Sequence, residues 1–116
     1  MVGIKRLICQ SHELQEGGKG VRFDLPEVGD RVTGFAVRFD GKVFAYINRC
    51  AHVPIELDWS PGEFFDATGN YLICATHGAY YQADTGDCVA GPCRGKRLEP
   101  IQVVEQAQQI LITLKV

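Results

Sequence analysis

At 116 residues, 46% hydrophobic and 22% charged, the chain is sized for one ordinary domain with a real core, and its composition excludes disorder. A formal net charge of −2 gives no electrostatic reason to bind nucleic acid, and no run approaches the ~18 consecutive apolar residues that span a bilayer. Five cysteines stand against one methionine, and an odd number cannot all pair within one chain.

Frequent turn signals separate short runs of β-forming residues. Strands are predicted over 4–9 and over 21–25, where apolar residues alternate with Arg22 and Asp24. Runs 32–39 and 42–47 flank Asp40-Gly41, a hairpin signal because glycine accepts the positive φ of a tight primed turn. Runs 71–74 and 79–82 bracket a Thr-His-Gly turn, and 98–104 with 109–116 form a closing pair. No amphipathic pattern exceeds two helical turns, and thirteen glycines and five prolines punctuate the whole. The expectation is an all-β sandwich or barrel, a single domain over 1–116. The opening residues carry two positive charges without an apolar run long enough for a signal peptide. A cytoplasmic setting is therefore expected, where thiols stay reduced and clustered cysteines act as ligands rather than bridges.

Charge is distributed unevenly. Between Arg49 and Arg94 there is no Lys or Arg, while Glu56, Asp58, Glu63, Asp66, Asp84 and Asp87 fall inside that window. Such a block ordinarily marks solvated loops. It coincides here with the residues that carry chemistry.

Cys50-Ala-His52 and Cys74-Ala-Thr-His77 place one thiol and one imidazole on each of two segments, with twenty-one residues between His52 and Cys74. Each pair follows a predicted strand, where a loop can turn both side chains toward one point. Zinc and an iron–sulfur cluster both accept two Cys and two His. Zinc fingers segregate their ligand types and carry the histidines on a helix, whereas here the types are mixed and no helix is predicted. A two-iron centre suits the pattern, with both thiolates on one iron and both imidazoles on the other.

These two half-motifs, Cys50-x-His52 and Cys74-x2-His77-Gly78, resemble the cluster-binding loops of Rieske [2Fe–2S] proteins. The resemblance continues through Tyr81, Thr85-Gly86, Gly91-Pro92 and Leu98, and covers about residues 20–115. It implies a β domain of three small antiparallel sheets, with a cluster-binding subdomain over about 46–95. It also implies one [2Fe–2S] cluster on Cys50, His52, Cys74 and His77, with Gly78, Tyr81, Gly91 and Pro92 around it. Gly91-Pro92 is then the loop that covers the cluster. Two departures stand out. The stretch 57–65, holding Trp59, Pro61 and Gly62, looks like a small insertion relative to Rieske ferredoxins. The extra cysteine that cytochrome bc Rieske proteins carry in each loop is replaced by residues such as Pro54 or Ile55, and by Thr76. That absence fits the ferredoxin and oxygenase branches. High-potential members place a serine two residues after the second histidine, where this chain has Ala79, so a low to intermediate potential is expected.

The remaining cysteines read differently. Cys9-x2-His12 lacks a following glycine and a partner pair, and is expected to be an ordinary strand cysteine beside a surface histidine. Cys88 and Cys93 are expected to be two small buried thiols, with a redox-active disulfide or a shield near the cluster as the sharper alternative. Only His12 remains beyond the two motif histidines, too few for the mononuclear iron site of a Rieske oxygenase, and no dinucleotide fingerprint is present. The resemblance therefore implies an electron carrier without a substrate site, serving a reductase and a terminal oxygenase. A fixed subunit or redox-sensing module, as in nitrite-reductase-like complexes, is the alternative. Neither nucleic acid nor membrane is an expected partner.

Overall fold

The computed structural model describes residues 3–115 except 52–54, 59, 76, 77, 92 and 94. The chain forms β1 (Gly3–Gln10), a 3-10 turn (Ser11–Glu13), β2 (Val21–Asp24), β3 (Thr33–Phe39) and β4 (Lys42–Ile47). It continues with β5 (Tyr71–Cys74), β6 (Ala79–Gln82), β7 (Cys88–Ala90), β8 (Pro100–Gln106) and β9 (Gln109–Lys115). A six-stranded antiparallel sheet has the order β1-β9-β8-β4-β3-β2, and a separate sheet has the order β5-β6-β7. Two of the three expected small sheets are thus joined, through the pairs Ala45↔Ile101 and Tyr46↔Pro100 of β4 and β8. No helix among the described residues is long and apolar enough to cross a membrane.

Asp40 and Gly41 take φ of 54° and 76°, the pair of positive values a type I′ turn requires. The turn sets the register of β3 on β4, with Phe39 opposite Lys42 and Gly34 opposite Ile47. Glu16 fastens it from outside, its carboxylate accepting from the backbone N–H groups of Asp40 and Gly41.

Successive strand residues point to opposite faces. Phe35, Val37 and Tyr46 therefore enter one core, while Ala36, Ala45 and Ile47 enter another. The β3–β4 pair is a wall buried on both sides. The first core lies against the three-stranded sheet and includes Cys50, Leu57, Phe64, Leu72, Cys74, Tyr81 and Cys93. The second is enclosed by the six-stranded sheet around Leu14, Leu25, Ile110 and Ile112.

The stretch read as an insertion turns inward. Leu57 and Phe64 are fully buried, and the Phe64 ring stacks on Phe35 with centroids 4.0 Å apart. Ile73 donates to the Phe64 carbonyl at 2.9 Å, so this segment extends along β5. Trp59 lies outside the described residues.

Arg38 on β3 clamps the second core. Its guanidinium donates to the carbonyls of Leu14 and Ser11 and forks onto both carboxylate oxygens of Glu105, at 3.1 and 2.7 Å. That bond holds the Glu105 carboxyl below its ordinary range. A carboxyl whose pKa is lower when folded stabilises the fold above its unfolded value and loses that contribution as pH falls. Glu105→Gln is expected to cost about 0.5–1 kcal/mol near neutral pH, the range of partly exposed ion pairs. In chemical denaturation the gap from the parent should close as pH drops below the ordinary 4.5.

Candidate metal centre

The first motif loop leaves β4 at Asn48, whose buried side chain holds the far end of the loop. Its carbonyl accepts from Leu57 N–H at 2.9 Å, and its amide donates to Asp58 Oδ1 at 3.0 Å. Asp58 Oδ2 accepts from Gly62 N–H at 3.0 Å and lies 3.4 Å from Arg22 Nε. Arg22 also reaches Glu56 at 2.6 Å. Within the loop, Cys50 N–H donates to the Ile55 carbonyl at 2.7 Å. These bonds turn the backbone so that the Cys50 side chain enters the first core.

The second motif loop caps the β5–β6 hairpin. Cys74 pairs with Ala79, and Gly78 N–H donates back to the Cys74 carbonyl at 2.8 Å. The two loops are stitched together by Ala75 N–H, which donates to the Leu57 carbonyl at 3.0 Å. Cys50 and Cys74 are both buried and belong to one apolar cluster.

Tyr81 on β6 is fully buried, and its hydroxyl lies 3.2 Å from Cys50 Sγ. Ala51 N–H donates to the same oxygen at 3.0 Å. Between the Tyr81 hydroxyl and a Cys50 thiol either group can donate. A metal-bound thiolate has no proton of its own, so Tyr81 is the donor once Cys50 is a ligand. Burial, followed by the Cys50 contact, pushes the phenol upward, which keeps it protonated. Tyr80 points the other way, partly exposed, with its ring edge-on to Tyr71.

The motif histidines, His52 and His77, and Pro92 lie outside the described residues. Gly91 is described, with φ of +94°. A Cβ there would stand 3.0 Å from Ala79 Cα and 3.1 Å from the Gly78 carbonyl oxygen, so only glycine lets the loop lie this close to the second motif. Cys9 is buried in the second core, and burial first, then Glu13, push its thiol up to about 11. It is therefore a neutral packing residue. His12 is exposed on the 3-10 turn.

Cys88 and Cys93 correct the expectation of two separate thiols: they form a disulfide, with Cα atoms 5.8 Å apart. The reason is backbone geometry. Cys88 N–H donates to the Lys96 carbonyl and Lys96 N–H to the Cys93 carbonyl, folding the segment back on itself. The charge block is also corrected. Asp58 is a buried structural carboxylate rather than a solvated one, and Arg22, from outside the window, answers both it and Glu56. Nothing local in the sequence marks Asn48, Asp58 or Arg22 as residues that brace the motif loop from below.

A nearly all-β chain with two stitched loops, each delivering a buried cysteine sulfur to one core, is the scaffold of an iron–sulfur domain. The Rieske [2Fe-2S] domain matches residues 4–109, and the chain belongs to that family. Its cofactor is a single Rieske [2Fe–2S] cluster. The residues fit the group: two buried sulfurs in one apolar cluster, one within hydrogen-bond distance of a tyrosine hydroxyl, suit a cluster bound by thiolates. The fold is similar to that of the ferredoxin of carbazole 1,9a-dioxygenase from Nocardioides aromaticivorans IC177, at 24% identity and TM-score 0.74, covering 99% of this chain and 100% of that one. It is also similar to a Sphingomonas yanoikuyae B1 ferredoxin, at 21% identity and TM-score 0.75, covering 97% and 100%. A third similar structure is a complex of reduced oxygenase and oxidized ferredoxin in carbazole 1,9a-dioxygenase, at 19% identity, TM-score 0.76 and 97% coverage of both chains. Comparison with curated proteins finds no match.

Removing the Asp58 carboxylate would leave the Asn48 amide, the Gly62 N–H and one face of Arg22 without their partner. Asp58→Ala is expected to destabilise the folded protein by about 3 kcal/mol, the scale of breaking a buried charge pair from one side. Denaturant unfolding followed by far-UV circular dichroism measures it, and a loss under 1 kcal/mol would show that the network is not what braces the loop.

Proposed function

We propose that the protein is a one-electron carrier of the Rieske ferredoxin type, taking electrons from a reductase and passing them to a terminal oxygenase. The observation that carries this reading is the convergence of Cys50 and Cys74 on one buried core with the Tyr81 hydroxyl set on Cys50. Cys50 and Cys74 would hold one iron, His52 and His77 the other, in a cluster-binding subdomain over about 46–95 of a single domain. A bound [2Fe–2S] cluster supplies one reversible electron at this site.

The chain's own residues do the rest. Phe64, Leu72 and Leu98 exclude water from the sulfurs, and the rigid β3–β4 wall limits rearrangement when charge changes. The Tyr81 hydroxyl favours the more negative, reduced state, while Ala79 offers no side-chain donor at the position where a serine would raise the potential further. Glu63 and Asp84 are exposed and would steer docking toward a basic partner surface, more weakly as salt rises. Similarity to ferredoxins of dioxygenase systems, one of them in complex with an oxygenase, supports the partner class. A cytoplasmic setting agrees with this role.

Purified holo-protein should show a Rieske electron paramagnetic resonance signal that appears on dithionite reduction. A colourless protein, or a signal indifferent to reduction, would end the carrier reading. His77→Ala should abolish the signal and His12→Ala should leave it unchanged. Tyr81→Phe should retain the signal with a lower midpoint potential. If the hydroxyl favours the reduced state by about 1 kcal/mol, the drop is about 40 mV for a one-electron couple.

A further inference from the structure

The Cys88–Cys93 disulfide is used by nothing in the electron-carrier reading, yet it touches the site from two directions. Cys88 lies on β7, the edge strand of the small sheet, and pairs in register with Tyr81, the residue bonded to Cys50. Cys93 is fully buried in the core that holds Cys50 and Cys74. Between them, Gly91 presses on Gly78 and Ala79, directly after the second motif. The bridge therefore closes the segment that packs on both the Tyr81 strand and the Cys74 loop.

Its two sulfurs differ in access. Cys88 is only partly buried and sits at a sheet edge, whereas Cys93 is sealed inside. Lys96 and Arg97 follow on the exposed return of the segment, with Arg97 Nε 4.0 Å from Asp87. An anionic thiolate can approach this partly basic surface and reach Cys88. In a thiol-reducing compartment, the disulfides that do form are usually the transient, redox-sensing ones.

We propose that Cys88–Cys93 is a thiol-exchangeable redox site whose state is read by the cluster through the Gly91 and Tyr81 contacts. The proposal rests on the cluster-carrier reading for its readout but not for its chemistry. A low-molecular-weight thiol is the reductant. Its thiolate attacks Cys88 Sγ, the S–S bond breaks, and Cys93 leaves as a thiolate that takes up a proton. A second thiol attacks the reductant's sulfur in the mixed disulfide, and Cys88 leaves as a thiolate that takes up the other proton. Two thiols are oxidised to one disulfide, and the protein gains two electrons and two protons. Opening the bridge frees the Gly91 segment from the second motif and lets water and the new S–H groups approach the cluster sulfurs. More donors there favour the reduced cluster, so the potential rises.

The test uses folded, cluster-loaded protein. After anaerobic incubation with dithiothreitol or a glutathione redox series, cysteines are alkylated without denaturant and located by peptide mass, and the midpoint potential is titrated in parallel. The expected result is two new labels, at Cys88 and Cys93. With them should come at least a threefold shift of the one-electron equilibrium toward reduction, about 30 mV upward. Cys88→Ser/Cys93→Ser should reproduce the shift and lose its response to thiol. If both positions stay unlabelled in folded protein, or become labelled with no change in potential, the proposal is overturned. Should the double variant fail to load the cluster, labelling and potential of the parent protein still decide. A failed carrier reading is recognised separately, by absence of the Rieske signal whatever the thiol count.

Discussion

The hydroxyl of Tyr81 is the point on which the two motif loops depend. It is carried by β6, two residue pairs along the hairpin from the Cys74–Ala79 pair, yet it contacts Cys50 Sγ and accepts from Ala51 N–H in the other loop. A buried hydroxyl between a sulfur and an amide has no water to fall back on, so each partner is held where the other needs it. The loops are thereby fixed to one another by a side chain in addition to the backbone bond from Ala75 N–H to the Leu57 carbonyl. At Cys50, the position of the sulfur and its hydrogen bonding both involve this one hydroxyl.

That atom is itself placed by the β3–β4 wall. Strand alternation sends Phe35, Val37 and Tyr46 toward the small sheet, and Phe64 stacks on Phe35 to fill the space between. The Tyr46 hydroxyl donates to the Ala83 carbonyl at 2.7 Å, tying the wall to the end of β6. Gly86 has to be glycine for this approach, because a Cβ would stand 2.8 Å from the Tyr46 ring. The second core, meanwhile, carries the stability of the six-stranded sheet without touching the motifs. A division of labour between the two faces of one hairpin lets the site tolerate its own demands, buried sulfurs and tight loops, without weakening the frame.

How much of this the sequence discloses depends on whether the deciding contact is local. Asp40-Gly41 announces its turn because the required positive φ selects the residues. Ala107 and Gln108 adopt the same pair of positive φ values, 52° and 63°, between β8 and β9. Neither residue advertises it, so β8 runs to Gln106 rather than ending near residue 104. β7 has only three residues, too few for an alternation to be visible. The two motif cysteines stand out in the sequence because each is followed by a histidine at short spacing, and the fold brings both into one core. The Asn48–Asp58–Arg22 brace does not, since it is decided by which backbones the fold brings together; the Cys88–Cys93 bond is local, but it depends on a fold-back through Lys96 that no residue type announces.

Charge illustrates the same limit, with a consequence for docking. Read along the chain, six acids face no base between Arg49 and Arg94. In space, Arg22 enters from β2 to answer Asp58 and Glu56, and Arg97 stands near Asp87. Asp58 is buried and contributes nothing to the outer field. The acidic surface available to steer a partner is therefore smaller than the linear block suggests, and rests mainly on Glu63 and Asp84. With screening over about 8 Å at physiological salt, charges this few guide an encounter only at close range.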